Sequence, residues 1–157
     1  MSKSLALLFA LAVIVVVVPR AAAQSKSVPV FVTSAGAANG FTDPNKDNQD
    51  TMKDLRDSLK GRKGIVLTDR REDAGIVLVV QSREKAQLTA SPLGGILGGG
   101  PSRDCTVRVK FIYKDTETEM SGSANGGALM SGGAWSKAAG KVAKQVEQWI
   151  EANKAKL

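Results

Sequence analysis

The sequence contains no histidine and a single cysteine, Cys105. Lack of histidine excludes Ser-His-Asp and Cys-His catalysis, histidine metal sites and a histidine pH switch. With one thiol no disulfide closes within the chain, so the core holds without covalent staples. Cys105 is then a buried small hydrophobe or a thiol that pairs between chains. Aromatics are scarce too: four phenylalanines, two tryptophans and one tyrosine. A nucleic-acid surface interleaves aromatics with cations. Here Phe111 and Tyr113 share a segment with Arg108 and Lys110 but alternate to its other face, so no nucleic-acid partner is expected.

What the chain does have begins with a leader. Lys3 gives a positive start, Leu5–Val18 is unbroken and apolar, and Ala21-Ala22-Ala23 offers small residues for a cut before Gln24. Pro19-Arg20 stops the run short of the roughly 20 apolar residues a spanning helix needs, so residues 1–23 read as a cleaved signal peptide rather than an anchor. No cysteine follows the apolar run, which argues against a lipoprotein. Residues 24–157 then form one domain, periplasmic or secreted. Lys3 and Arg20 leave with the leader, taking the formal charge from +7 to +5. In an exported protein a basic balance points to a protein or anionic envelope component as partner, with peripheral membrane contact as a variant, or simply to solubility.

Ala74–Gln81 is the organising stretch, an apolar β-branched run that fits a strand buried on both faces. Val28–Thr33 is a first strand. An Asx-rich turn, Asp43–Asp50, leads into a helix whose Met52, Leu55 and Leu59 share one face. Asp47 or Asp50 is the expected cap, and Gly61 the left-handed stop. Ile65–Thr68 is a short second strand. Cys105, Val107, Val109, Phe111 and Tyr113 alternate with Thr106, Arg108 and Lys110, the period of a half-buried strand. Thr118–Ala124 returns with Met120 inward. The last helix repeats Trp135, Ala138, Ala139, Val142, Val146, Trp149 and Ile150 at three and four residues, with Lys137, Lys141 and Lys144 on its other side. The order β-α-β-β-β-β-α predicts an α+β two-layer sandwich: a mixed sheet of about five strands with two helices on one face.

Two glycine-rich stretches interrupt this order, a flexible loop over 85–104 and another over 125–133. If the third, fourth and fifth strands form an antiparallel meander, both leave one end of the sheet. If the second strand also pairs antiparallel with the third, Lys60, Arg62 and Lys63 come to that same end. Leu93, Ile96, Leu97, Leu129 and Met130 would then sit beside positive charge as a contact surface for a partner, or fold back over the core.

Other motifs are weaker. Asp43, Asn45, Asp47, Gln49, Thr51 and Asp54 take positions 1, 3, 5, 7, 9 and 12 of an EF-hand-like loop. Asn48 stands in place of the turn glycine and Asp54 in place of the bidentate glutamate, so Asp43, Asn45, Asp47 and Asp54 make a poor calcium set and an ordinary helix cap. Gly140-Lys141 lacks the earlier glycine of a phosphate loop, Trp135 standing in its place. No cofactor and no catalytic residue is expected. The alternatives are a carboxylate-dependent envelope hydrolase using acids such as Asp43, Asp47, Glu117 or Glu119, and a calcium-stabilised structural protein.

A strand reading Val30-Phe31-Val32, an amphipathic helix, the phrase Arg71–Val80 and the run Val107–Tyr113 entering Lys114–Glu117 resemble small exported bacterial proteins. The element order is similar to the α+β domain of periplasmic and outer-membrane accessory proteins of the curli-secretion lipoprotein and TolB amino-terminal kind. Those families have Ala-Asp before the strand where Gly75 stands here, and the lipoproteins carry an attachment cysteine that this chain lacks. The resemblance implies envelope assembly or partner binding, and no catalytic residue carries over.

Overall fold

The Ile76–Gln87 strand lies at the centre of the sheet, as its β-branched run requires, and its neighbours on both sides set the topology. The computed structural model describes residues 27–37, 40, 42–87, 103–126 and 131–157. In chain order the elements are β1 (Val28–Ser34), α1 (Lys46–Leu59), β2 (Ile65–Leu67), β3 (Ile76–Gln87), β4 (Arg103–Tyr113), β5 (Thr116–Gly126) and α2 (Ser131–Ala152), with short 3-10 turns at Arg71–Asp73 and Lys154–Lys156. The sheet order is β2-β1-β3-β4-β5. β1 is parallel to both β2 and β3; β3, β4 and β5 form the antiparallel meander. This is the expected α+β sandwich.

Both helices cover one face of the sheet. Val30, Val32, Ile76, Leu78, Val80, Val107, Val109 and Phe111 point to that face, where they meet Leu55 and Leu59 of α1 and Ala138, Ala139, Val142 and Val146 of α2. The two parallel crossovers step in opposite directions across the sheet, and a constant right hand puts them on opposite faces. α1 therefore lies on the helical face, while residues 68–75 pass the other face, where Arg70, Arg71 and Glu72 share a groove with Phe31, Val79 and Ile112.

Several boundaries differ from the sequence reading. The helix cap is Asn45, not Asp47 or Asp50: its Oδ1 accepts the main-chain N–H of Asp47 at 2.9 Å and of Asn48 at 3.4 Å. The loop placed at 85–104 is shorter, because Lys85–Gln87 and Arg103–Cys105 remain paired in the ladder. Likewise Gly126 still pairs with Arg103, and helix begins at Ser131. β2 has the parallel pairing with β1 that a β-α-β start demands, and what does not hold is the antiparallel pairing with β3. β2 runs parallel to β1 and does not touch β3, because α1 carries the chain back to the end where β1 starts.

The seat of α2 depends on glycine. A Cβ at Gly122 would lie 2.1 Å from the carbonyl oxygen of Ala138, so β5 and the helix main chain meet directly. At Gly140 the nearest atom to an added Cβ is Ser58 Oγ at 4.0 Å, which leaves room for a methyl. Gly122→Ala is therefore expected to lower stability by about 1–3 kcal/mol or more, the cost of overpacking. Gly140→Ala is expected to raise it by up to ~1 kcal/mol through helix propensity. Urea unfolding of the two variants checks the pair of signs.

Candidate binding surface

α2 presents a row of cations on its outward side. Lys137, Lys141 and Lys144 stand at i, i+4 and i+7 and are all exposed, while the alanine and valine positions between them face the sheet. From residue 120 to residue 146 the chain contains no aspartate or glutamate. Lys141 Nζ donates to the Ser123 carbonyl at 2.6 Å, and Gln145 Nε2 to the Ser121 carbonyl at 2.7 Å. These two bonds tie the helix to the outer edge of β5 and occupy carbonyls that an added strand would need.

Arg62 closes the other side. Its Nε donates to the Ser58 carbonyl at 2.7 Å, one terminal nitrogen to Glu147 at 2.7 Å and the other to the Gly140 carbonyl at 3.3 Å. With the missing side chain at Gly140 as floor, Arg62, Ser123, Asn125, Lys137, Lys141 and Lys144 enclose a shallow groove of about 550 Å³. Lys137 and Lys144 have no ion-pair partner among the described residues. Glu147, the carboxylate nearest along the helix, is held by Arg62.

Several cations elsewhere on the molecule pair with acids, while Lys46, Lys53, Lys63, Arg71, Lys85, Lys114 and Lys156 have no ion pair among the described residues. Arg108 meets Glu84 at 3.1 Å and Glu119 at 3.0 Å, Lys110 meets Glu117 at 2.8 Å, and Arg56 meets Asp69 at 2.6 Å. Exposed pairs of this kind add little stability, but they cancel charge. Arg83 is a special case. A bulge between Val80 and Ser82 reverses the alternation of β3, so Arg83 faces the helices instead of solvent. Its side chain is only 9% exposed, its guanidinium lies 4.2 Å from the Trp135 ring centre, and Asp50 is 3.8 Å away. The cation–π contact compensates a cation placed at a core register.

The residues singled out from sequence scatter. Leu93, Ile96, Leu97, Leu129 and Met130 lie outside the described residues. Lys60, Arg62 and Lys63 precede β2 and therefore sit at the end where β1 starts, opposite the end from which Gln87 and Gly126 lead into the glycine-rich segments. Lys60 pairs with Asp57 at 3.2 Å. Of the three, Arg62 alone belongs to the groove. Lys137, Lys141 and Lys144 were legible only as the polar side of a helix; their spacing and the acid-free stretch around them were the available signal.

The calcium set is likewise used otherwise. The buried Asp43 carboxylate accepts from Ser34 Oγ, from the Asn45 N–H at 2.7 Å and from Asn48 Nδ2 at 3.0 Å. Asn45 caps α1, and Asp54 accepts from Ser136 Oγ at 3.1 Å. Among the described residues no three acids or thiols converge as a metal site would require. Cys105 is buried against the core. A general acid needs a raised carboxyl pKa, whereas Asp43, Glu72 and Glu151 are all lowered. Among the described residues no helix is long and apolar enough to cross a membrane.

No protein-family model matches the chain, and neither does any curated protein. Solved structures of similar chain path include the PelC dodecamer from Paraburkholderia phytofirmans, 14% identical, covering 78% of this chain and 86% of that one, with a TM-score of 0.44. An uncharacterized lipoprotein B from Nitrosomonas europaea is 12% identical over 84% of this chain and 88% of its own, TM-score 0.46. The rare lipoprotein B of Shewanella oneidensis is 11% identical over 82% and 97%, TM-score 0.39. At these identities and scores the likeness concerns chain path, and nothing of their function passes with it. The narrower likeness to curli-secretion and TolB domains rests on the sequence phrases alone.

Hydrogen bonds, first from Ser34 and then from the Asn45 main chain, hold Asp43 below the ordinary aspartate range against the opposing effect of burial. A lowered folded pKa means that this carboxylate contributes stability that is fully present above the unfolded value of ~3.9 and lost as pH falls through the folded value. Asp43→Asn is expected to lower stability at neutral pH and to flatten its fall between about pH 5 and pH 2. Urea midpoints across that range check it; parallel acid limbs for the two proteins would remove Asp43 from the explanation.

Proposed function

We propose that this protein is an exported, non-catalytic binding protein of the bacterial cell envelope, acting through a charged surface and not through reactive side chains. The observation that carries the reading is the cationic row at the groove: Lys137, Lys141 and Lys144 stand together, exposed, on α2, and two carboxylates beside that row are engaged, Glu147 by Arg62 and Asp54 by Ser136 Oγ. Uncompensated cations on one surface attract anionic partners and cost folding stability through mutual repulsion. The export half of the reading comes from the leader-like residues 1–23, and an anionic envelope component is the partner that such a location and such a surface share.

Two results are expected when the full chain, tagged at its C-terminus, is produced in a bacterium with two membranes. Mass spectrometry should find the exported form beginning at Gln24. That form should sediment with isolated envelope material at low salt and leave it near ~1 M salt, where screening acts over only ~3 Å. A processed protein that stays in the supernatant at low salt rejects the binding role. A protein that sediments equally at both salt concentrations rejects the charged surface as its means.

A further inference from the structure

We infer that the groove over Gly140 is a subsite for a linear acidic polysaccharide, whose carboxylate or sulfate groups lie against Lys137, Lys141 and Lys144. This rests on the binding role proposed above and names the ligand class of the same surface.

The geometry distinguishes among anionic ligands. The helix rises 1.5 Å per residue, so Lys137 and Lys144 are separated by ~10 Å along its axis with Lys141 between them. The cations form a row, which suits an anion that repeats along a chain better than a single charged group. All three are lysines. Ammonium groups are compact, hydrated point charges, whereas bidentate recognition of phosphate favours arginine. The one arginine at the groove, Arg62, is already engaged by Glu147, Gly140 and Ser58.

The remaining lining is polar and small. Asn125 is exposed and has no side-chain hydrogen bond among the described residues, and Ser123 stands beside it on the edge of β5. Ser123 Oγ is bonded to Thr106 Oγ1 at 2.8 Å on the sheet's other face, and alternation puts the Asn125 side chain on that face too, so β5 meets the groove through its main chain. Gly140 leaves the floor open, so a chain can approach the helix main chain between the lysine stems.

Competing ligands lack their own requirements here. Surface attachment to a bilayer needs apolar side chains to enter the headgroup region. The one large exposed hydrophobic among the described residues is Val66, on β2 at the far edge of the sheet from β5. A single-stranded nucleic acid needs aromatic platforms, and Trp135 and Trp149 face the core and β4 instead.

The test titrates the folded protein with polygalacturonate, with neutral dextran and with vesicles of phosphatidylglycerol and phosphatidylcholine. The readouts are affinity and amide NMR shifts. Polygalacturonate is expected to bind, with the largest shifts at Ser123, Asn125 and Gly140, and binding should weaken as salt rises. The triple variant Lys137→Gln, Lys141→Gln, Lys144→Gln is expected to lose affinity roughly ten-fold or more, as truncation of a charged contact surface does. A triple variant at the opposite end, Lys63→Gln, Lys114→Gln, Lys156→Gln, removes equal charge and should retain most of the affinity.

Equal losses in the two triple variants would reduce the effect to net charge and overturn the site. Vesicle binding without polygalacturonate binding, or dextran binding as tight as polygalacturonate, would overturn the ligand class. If the groove variant still sediments with envelope material, the polysaccharide site fails while the binding role stands. If the unaltered protein does not sediment at all, the role itself fails.

Discussion

The direct contact between β5 and the α2 main chain constrains most of what this molecule can present. With no side chain at Gly122, the carbonyl of Ala138 comes to where a Cβ would stand. That separation lets Lys141 and Gln145 reach the edge carbonyls of Ser123 and Ser121. Small residues at Ala138 and Ala139 serve the same approach, at the cost of less apolar area per residue. The loss is recovered at the ends of the helix. Trp149 packs against Phe111 with ring centres 4.7 Å apart and against Tyr113 at 4.9 Å, and Trp135 covers the opposite end beside Arg83.

A helix seated this low turns its polar side into an outer wall of the molecule. The lysines cannot fold inward, because Val142, Ala143 and Val146 occupy the inward positions, and the part of the edge strand beside them, Ser121 to Asn125, carries no acid. The cationic row is thus a result of packing as well as composition. The sheet's other face shows the contrast: the outward cations of β4, Arg108 and Lys110, each bond a glutamate of β5 diagonal to their ladder partners Ser121 and Glu119, within reach of long side chains.

Local periodicity carried much of this in the sequence. The alternation of Cys105–Tyr113 and the three-and-four spacing from Trp135 to Ile150 report which side chains are inside, because burial acts on each residue separately. Pairing partners are a different matter. β2 has only Ile65–Leu67 in register with β1, too few residues to bear a pattern that distinguishes parallel from antiparallel neighbours. Antiparallel pairing with β3 would bring Lys60, Arg62 and Lys63 to the end of the glycine-rich segments, and the parallel pairing with β1 puts them at the other end. Arg83 was hidden for a related reason. A period of two predicts it outside, and the bulge that turns it inward leaves no mark in the residue types around Gln81.

The groove was illegible for a third reason: it belongs to no single element. Arg62 follows α1, Ser123 and Asn125 lie on β5, and the lysines are on α2. Reading α2 alone places Lys137, Lys141 and Lys144 outside and stops there, since an outward lysine is what any surface helix has. Their meaning depends on what stands opposite, and the sheet order decides that. β5 is an edge strand, and α2 packs over it and β4 with α1 on its inner side, so the open space lies beyond β5. A strand added beyond β5 would cover that space and would need the carbonyls that Lys141 and Gln145 hold. The bonds that close the edge to another strand therefore also keep the lysine row uncovered, and protection against edge pairing and the exposure of the cationic surface follow from the same two side chains.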